Sequence, residues 1–509
     1  MPKGPSLLHR LAAADNADTL EVRAPFTGEL LHDLPLSQPE DIDATLRRAR
    51  EAQRRWAETP LRERSRIMLR FHDLVLQRRH EAMDILQWET GKARRDALEE
   101  VLDVCVVSRY YARRAPGLLR PRRRAAALPL LVGVREILKP VGVVGIIAPW
   151  NYPLTLAASD AVPALLAGNA VVVKPDPQTS LIAAWVAEKF LLAGLPDGLF
   201  AVVTGDGPGA GGAVIDAVDY VMFTGSSATG KLVAERCARR LIGCSLELGG
   251  KNAMIVRADA DVRRAAEVAV RACFANAGQL CISMERLYVH DRVYDEFVAR
   301  FIPRVLSLRM SASPGWGADM GVLISPEHLE RVRSHVDEAL AAGATALAGG
   351  RARPDIGPTA YEPTVLEGVR EDMAVCREET FGPVAALYRV HDDEEAVRLA
   401  NDSRYGLNAS VITRDLRAGQ RLAARLRTGS VNVNEGYAAS WGSTAAPMGG
   451  VGESGLGHRH GEGGLLAFTE RQTIATQRLL GFGPQFGLDD EAWGQALSTA
   501  VGALKRWGL

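Results

Sequence analysis

The chain has 509 residues, about three domains' worth and enough to bury a large core. Hydrophobic residues make up 47% and charged residues 24%, an ordinary globular composition. Lys plus Arg and Asp plus Glu both number 61, so the formal net charge is zero, which argues against nucleic acid as the main partner. The six cysteines (Cys105, Cys237, Cys244, Cys273, Cys281 and Cys376) are scattered, without a CxxC pair or Cys/His ligand spacing. That pattern predicts reduced thiols in a cytoplasmic protein, with neither a disulfide framework nor a metal site. No apolar run is long enough for a signal peptide or a membrane span.

Residues 20–34 read as two short strands around a Thr-Gly turn. From 41 to about 87 apolar residues recur at helical spacing, and 92–115 continue helical up to Pro116. The basic run Arg120 to Arg124 reads as a solvated connector. Residues 141–148 then form a continuous apolar run, as do 170–173, 199–203 and 220–223, with helical stretches at 180–193 and 209–217 between them. Strands buried on both faces and alternating with helices predict a parallel, doubly wound α/β lobe. A second series predicts strands near 253–256, 286–289, 384–388 and 429–433, with helices near 260–274, 293–308 and 326–342, and so a second α/β lobe. A last helix is expected near 491–504.

Five stretches carry chemistry. Residues 273–283 end in Gly278-Gln279-Leu280-Cys281-Ile282-Ser283. Cys281 follows a small, flexible turn, so it is either a nucleophile or a small buried core residue. Gly207 to Gly212 fits GxGxxG but contains Pro208, and it reads as a glycine-rich turn. Phe223-Thr224-Gly225-Ser226 opens a helix reaching Gly230 and is either a pyrophosphate cradle or an ordinary Ser-capped helix start. Pro149-Trp150-Asn151-Tyr152-Pro153 closes a buried strand, and Asn151 is the kind of donor that fills an oxyanion hole. Glu247, before Gly249-Gly250-Lys251, can act as a general base, and Glu378-Glu379-Thr380-Phe381-Gly382-Pro383 places an acidic pair beside an aromatic.

ProTrpAsnTyrPro, PheThrGlySer, GluLeuGlyGlyLys, GlyGlnLeuCys and GluGluThrPheGlyPro occur in this order at spacings that resemble the NAD(P)-dependent aldehyde dehydrogenase superfamily over residues 20–480. The resemblance implies two doubly wound α/β lobes plus a small β hairpin for oligomerisation. It divides the chain into a dinucleotide-binding domain (1–120 and 141–248), a catalytic domain (249–455), oligomerisation elements (121–140 and 466–480) and an extension (481–509). It implies Cys281 as nucleophile, Glu247 as general base and Asn151 as oxyanion donor. Trp150, Lys174, Gly225, Ser226 and Gly230 would surround the adenosine and phosphates. Glu379 would meet the nicotinamide ribose, and Phe381 the nicotinamide. A Glu at 247 favours hydrolysis to a free acid over transfer to coenzyme A.

Pro177 stands where NAD-preferring relatives often carry Glu, so NADP is expected, with NAD possible. The overall sequence is most similar to an NADP-type succinate-semialdehyde dehydrogenase branch. The arginines that hold the distal carboxylate in better-known members are replaced by Ser159 and Ala275. Ser283, Arg286 or Arg459 are then the candidate anchors. Arg459 also replaces a Glu that some relatives carry. A medium-chain or aromatic aldehyde, lined by Trp441 and Tyr437, is the rival substrate. A catalytically silent member of the fold would lack the Cys, the Glu or the Asn, and all three are present. The resemblance implies a homodimer or homotetramer acting on a small aldehyde.

Overall fold

The computed structural model describes residues 4–14, 17–126, 132–478 and 483–506. The first sheet has six strands, ordered Gly455–Leu456, Gly243–Glu247, Tyr220–Thr224, Val143–Ala148, Ala170–Pro175 and Phe200–Val202. All neighbours are parallel except Gly455–Leu456, which runs antiparallel at the edge. Val143–Ala148 and Ala170–Pro175 are buried at every position, as strands covered by helices on both faces must be. The chain runs outward from Val143–Ala148 to Phe200–Val202, then crosses back to Tyr220–Thr224 on the other side. The strand order therefore reverses between Val143–Ala148 and Tyr220–Thr224. Their carboxyl ends flank the crevice where open α/β sheets bind ligands.

The second sheet has seven strands, ordered Thr345–Ala348, Thr364–Glu367, Val384–Val390, Met284–His290, Asn252–Val256, Asn408–Ile412 and Ser430–Val433. Only Thr345–Ala348 is antiparallel to its neighbour. Four residues, 248–251, join the carboxyl end of Gly243–Glu247 in the first sheet to the start of Asn252–Val256 in the second. The two sheets thus meet with the carboxyl edge of one facing the amino edge of the other.

A third sheet is antiparallel, Thr469–Gln477 beside Val132–Pro140 beside Arg122–Arg124. Of the stretches expected to serve assembly and the tail, residues 127–131, 479–482 and 507–509 lie outside the described residues. The last helix spans Asp490–Arg506.

Three expectations change. The helical region 41–87 is three helices, Pro39–Glu58, Leu61–Gln77 and Arg79–Thr90. Pro60 divides the first two, because proline cannot donate within a continuing helix. The helix Arg94–Leu118 continues through Pro116. Pro116 lies in its last turn, so only one terminal hydrogen bond is lost. Asn408–Ile412, which the reading of the sequence passed over, is a fully buried strand beside Asn252–Val256.

Candidate active site

A cavity of about 290 Å³ opens where the two sheets meet. Trp150 and Asn151 reach it from the end of Val143–Ala148, and Gly225 and Ser226 from the end of Tyr220–Thr224. Glu247 reaches it from the end of its own strand, and Cys281 from the loop before Met284–His290. Glu379 and Phe381 line it from the turn before Val384–Val390. Residues separated by 230 positions in sequence are therefore brought together by the topology of the sheets.

The Asn151 turn is held from behind. Lys92 Nζ donates to the Asn151 carbonyl at 2.7 Å and pairs with Glu100, and neither Lys92 nor Glu100 has an exposed side chain. Glu100 Oε2 accepts the Leu154 and Thr155 N–H groups at 2.9 and 3.2 Å, in the first turn of the helix Pro153–Ala158. There a carboxylate meets unpaired helix donors and the positive end of the dipole. The Asn151 side chain donates through Nδ2 to the Gln279 carbonyl at 3.2 Å.

The loop that ends at Cys281 is bent sharply. Asn276, Ala277 and Gly278 all have positive φ (51°, 54° and 71°). Two consecutive non-glycine residues in that region store strain that the surroundings must maintain. Asn276 Nδ2 bonds the Asn151 and Gln279 carbonyls, and the Gln279 side chain bonds Asn276, Val322 and Ile324 backbone. Beyond the bend, Asn252 Nδ2 donates to the Cys281 and Ser283 carbonyls at 2.8 and 2.7 Å. Cys281 is thus fixed at its backbone on both sides. Burial, reinforced by the Glu379 charge, pushes its thiol up to about 12, and Arg459 acts in the opposite direction.

Glu247 is buried at the last position of its strand, and its Oε1 has no hydrogen-bond partner. Burial pushes its carboxyl up to about 8, against the pull of the Arg459 charge. A carboxyl that titrates near neutral pH and has a free oxygen facing a cavity is chemically suited to proton transfer. Arg459 lines the same cavity, with Nη2 bonded to Asp160 at 3.1 Å and to Thr224 Oγ1 at 3.0 Å.

The opposite wall is aromatic. The His328 ring lies edge-on to Trp150 and Phe381, with centroids 5.3 and 6.1 Å apart, and its Nε2–H donates to the Phe381 carbonyl at 2.7 Å. Burial pushes His328 down to about 4, so it is neutral. Glu379 Oε1 accepts the Gly250 N–H at 2.8 Å, and burial pushes its carboxyl up to about 8. Behind this turn, Glu285 pairs with Lys251 and accepts the N–H groups of Thr380 and Phe381. Ser226 caps the helix Ser227–Arg240, its Oγ accepting the Thr229 N–H at 3.2 Å. The earlier N–H groups of that turn have no intrahelical acceptor and can meet a phosphate. Gly230 packs under Leu248, and a Cβ there would stand 2.4 Å from it.

Lys174 is buried at the end of Ala170–Pro175 and is not among the residues that line the cavity, with the charges of Asp176 and Asp206 acting on it. Asp176 caps the turn Pro177–Thr179 through the Gln178 N–H. The Gly207–Gly211 stretch is a wide helical turn that leads into the helix Gly212–Ala217, capped by Asp206.

Two expected substrate residues are corrected. Ser283 is buried and donates to the Ala272 and Cys273 carbonyls, so its hydroxyl faces the helix behind the loop. Arg286 points to the other side of its strand, where it bonds the Lys251, Leu399 and Ala400 carbonyls. Neither side chain lines the cavity. Trp441 lines the cavity, whereas Tyr437 is buried behind it, 3.4 Å from Glu99. Lys92, Glu100, Asn252, Glu285, His328 and Asp160 were not singled out from sequence. Only the capping geometry at Pro153 and the Asn after Gly-Gly-Lys hinted at any of them.

Residues 12–474 match the aldehyde dehydrogenase family. The chain belongs to that family. This aldehyde dehydrogenase is 51% identical over 502 residues to a Mycolicibacterium smegmatis protein named putative succinate-semialdehyde dehydrogenase (NADP+), across 98% of this chain and 97% of the other. It is 38% identical to a Methylomonas protein named 4,4'-diapolycopene aldehyde oxidase, across 90% of this chain and 86% of that one. It also resembles the crystal structure of succinate-semialdehyde dehydrogenase from Burkholderia pseudomallei, with a TM-score of 0.89 and 34% identity over 94% of this chain and all of that one. Among the described residues no helix is long and apolar enough to cross a membrane, and no cluster of three or more ligating side chains could hold a metal.

Proposed function

We propose that the protein oxidises an aldehyde to its carboxylic acid with NADP, and that succinate semialdehyde is the preferred substrate. The observation that carries the reaction is that Cys281, Glu247 and Asn151 line one cavity. Cys281 Sγ, once deprotonated, forms a bond to the aldehyde carbon. The charge that develops on the aldehyde oxygen is met by Asn151 Nδ2 and the Cys281 N–H. A nicotinamide dinucleotide bound along the Trp150, Ser226 and Glu379 wall would accept the hydride that leaves the aldehyde carbon, so that the acyl group remains on Cys281 Sγ as a thioester. Glu247 then takes a proton from water as the water oxygen attacks the thioester carbon. The carboxylic acid leaves and the thiol is restored.

The residues fit a dinucleotide. Helix donors beside Ser226, an aromatic slot at Trp150 and Phe381, and a carboxyl at Glu379 stand in sequence along the cavity. The choice of NADP is supported by Pro177, which offers no carboxylate to a 2′-phosphate. Asp176, the nearest acid, is already engaged with its own turn. The names of relatives 51% identical support both NADP and succinate semialdehyde.

A second substrate reading, an uncharged apolar aldehyde, is favoured by the wall beside Cys281. Tyr152, Leu156, Leu280, Ile282, Trp441 and Met448 line it. The name of the 4,4'-diapolycopene aldehyde oxidase relative points the same way. Initial rates of NADPH formation with succinate semialdehyde, hexanal and benzaldehyde decide between them. A clear preference for succinate semialdehyde supports the first reading, and a preference for the uncharged aldehydes replaces it with the second. If Cys281→Ala retains aldehyde oxidation, the proposed chemistry is wrong.

The strand Thr469–Gln477, exposed at every position after Thr469, supports assembly through the third sheet into a homodimer or homotetramer, testable by sedimentation. The six free cysteines support a cytoplasmic setting.

A further inference from the structure

Arg459 is a guanidinium held inside the cavity, and the reaction just described does not use it. Its side chain is 9% exposed. Its main chain is pinned by reciprocal bonds with Met448, at 2.8 and 2.9 Å. Its side chain is pinned by Asp160 and Thr224. Its Nε is buried without a partner. The segment that carries it leaves the strand Gly455–Leu456, and Gly455 is in register with Glu247. Arg459, Glu247 and Cys281 line the same cavity.

We propose that Arg459 is a positioning residue, and that its guanidinium, fixed between Asp160 and Thr224, holds a positive charge against Glu247 and Cys281 and so favours the ionised forms of base and nucleophile. This rests on the reaction proposed above for those two residues.

The charged and titratable groups facing it are few. Asp103 and Tyr111 come from the helix Arg94–Leu118, and Asp160 precedes the helix Ala161–Ala167. Glu247 and Cys281 face it from their strand and loop, Glu379 lines the same cavity, and His460 is its neighbour in sequence. Burial keeps Asp103 up at about 6, and His460 is held neutral by burial. Arg459 is therefore the fixed cation of this corner, and Asp160 its counter-charge. Burial opposes ionisation of both Glu247 and Cys281, and the Arg459 charge opposes burial in both cases. Asp160 keeps the guanidinium from folding onto Glu247 as a closed ion pair, which would leave the base without a free oxygen.

The test uses the full-length enzyme and two readouts. One is the pH dependence of iodoacetamide alkylation at Cys281, located by mass spectrometry without substrate. The other is the pH dependence of kcat. Arg459→Met should move both profiles to higher pH by roughly one unit or more, as loss of a close opposite charge does. Arg459→Lys should restore most of the shift. Because Arg459→Met leaves Asp160 buried and unpaired, Asp160→Asn combined with Arg459→Met is compared with Asp160→Asn alone, a well-folded pair that should differ by the same displacement. Profiles of the double variant that coincide with those of Asp160→Asn overturn the proposal. So does a change confined to KM for a carboxylate-bearing aldehyde, which would make Arg459 a substrate anchor. The alkylation readout does not depend on turnover, so it stands even if Cys281→Ala shows the proposed reaction to be wrong.

Discussion

Lys92 holds the Asn151 carbonyl at 2.7 Å while pairing with Glu100, so the turn that presents the Asn151 amide rests on a buried ion pair. Cutting this support differs from cutting the amide itself. Lys92→Met leaves Glu100 charged and unpaired, which costs about 3–5 kcal/mol. A thermal melt should show a marked fall. Asn151→Ala should melt close to the wild type but lose about 10²–10³ in kcat, the usual consequence of removing one oxyanion donor. Equal melting temperatures for the two variants would refute the distinction.

Glu247 titrates at about 8 in the folded protein against an ordinary 4.5. Its base form grows as pH rises through 8, so the hydrolytic rate should rise over the same range, and Glu247→Gln should abolish the rise. The folded state holds the extra proton between about 4.5 and 8, so this group lowers stability as pH increases across that window. Denaturant titrations at pH 5 and pH 8, both arbitrary points inside or at the edge of that window, should show a smaller loss for Glu247→Gln than for the wild type.

Gly278 has a φ of 71°, and a Cβ there would stand 1.9 Å from the Gly382 carbonyl oxygen. Gly278→Ala must therefore push apart the Cys281 loop and the Phe381 turn. Displacements of this size cost about 10²-fold in rate. Steady-state kinetics should show the loss with both NADP and NAD. Retention of near-normal kcat would mean that the two turns are free to separate.

Pro177 opens the turn capped by Asp176. Pro177→Glu should lower kcat/KM with NADP and raise the NAD to NADP ratio by about tenfold, which corresponds to roughly 1.4 kcal/mol of like-charge discrimination. Unchanged ratios would mean that the 2′-phosphate lies elsewhere.

Both sheets were largely legible, because strands buried on two faces read as unbroken apolar runs such as 143–148 and 170–173. Asn408–Ile412 escaped because it begins with two small or polar residues, and its Asn408 side chain is used to bond the Ile282 and Gly436 carbonyls. Cys281, Glu247 and Asn151 were legible because each sits in a glycine- or proline-marked turn. Lys92, Glu100 and Asp160 were not. A buried charge has the same letter as a solvated one, and only the fold reveals its partner. Ser283 and Arg286 were misjudged for a related reason, since nearness in sequence to Cys281 says nothing about which way a side chain points.

The edge strand Gly455–Leu456 seals the first sheet beside Glu247 only after the chain has traversed the whole of the second. A chain growing from its amino end therefore carries Cys281 long before Arg459 and the final strand exist. The reactive centre is one of the last things to be assembled, so fragments that end before the strand Gly455–Leu456 should not turn over an aldehyde.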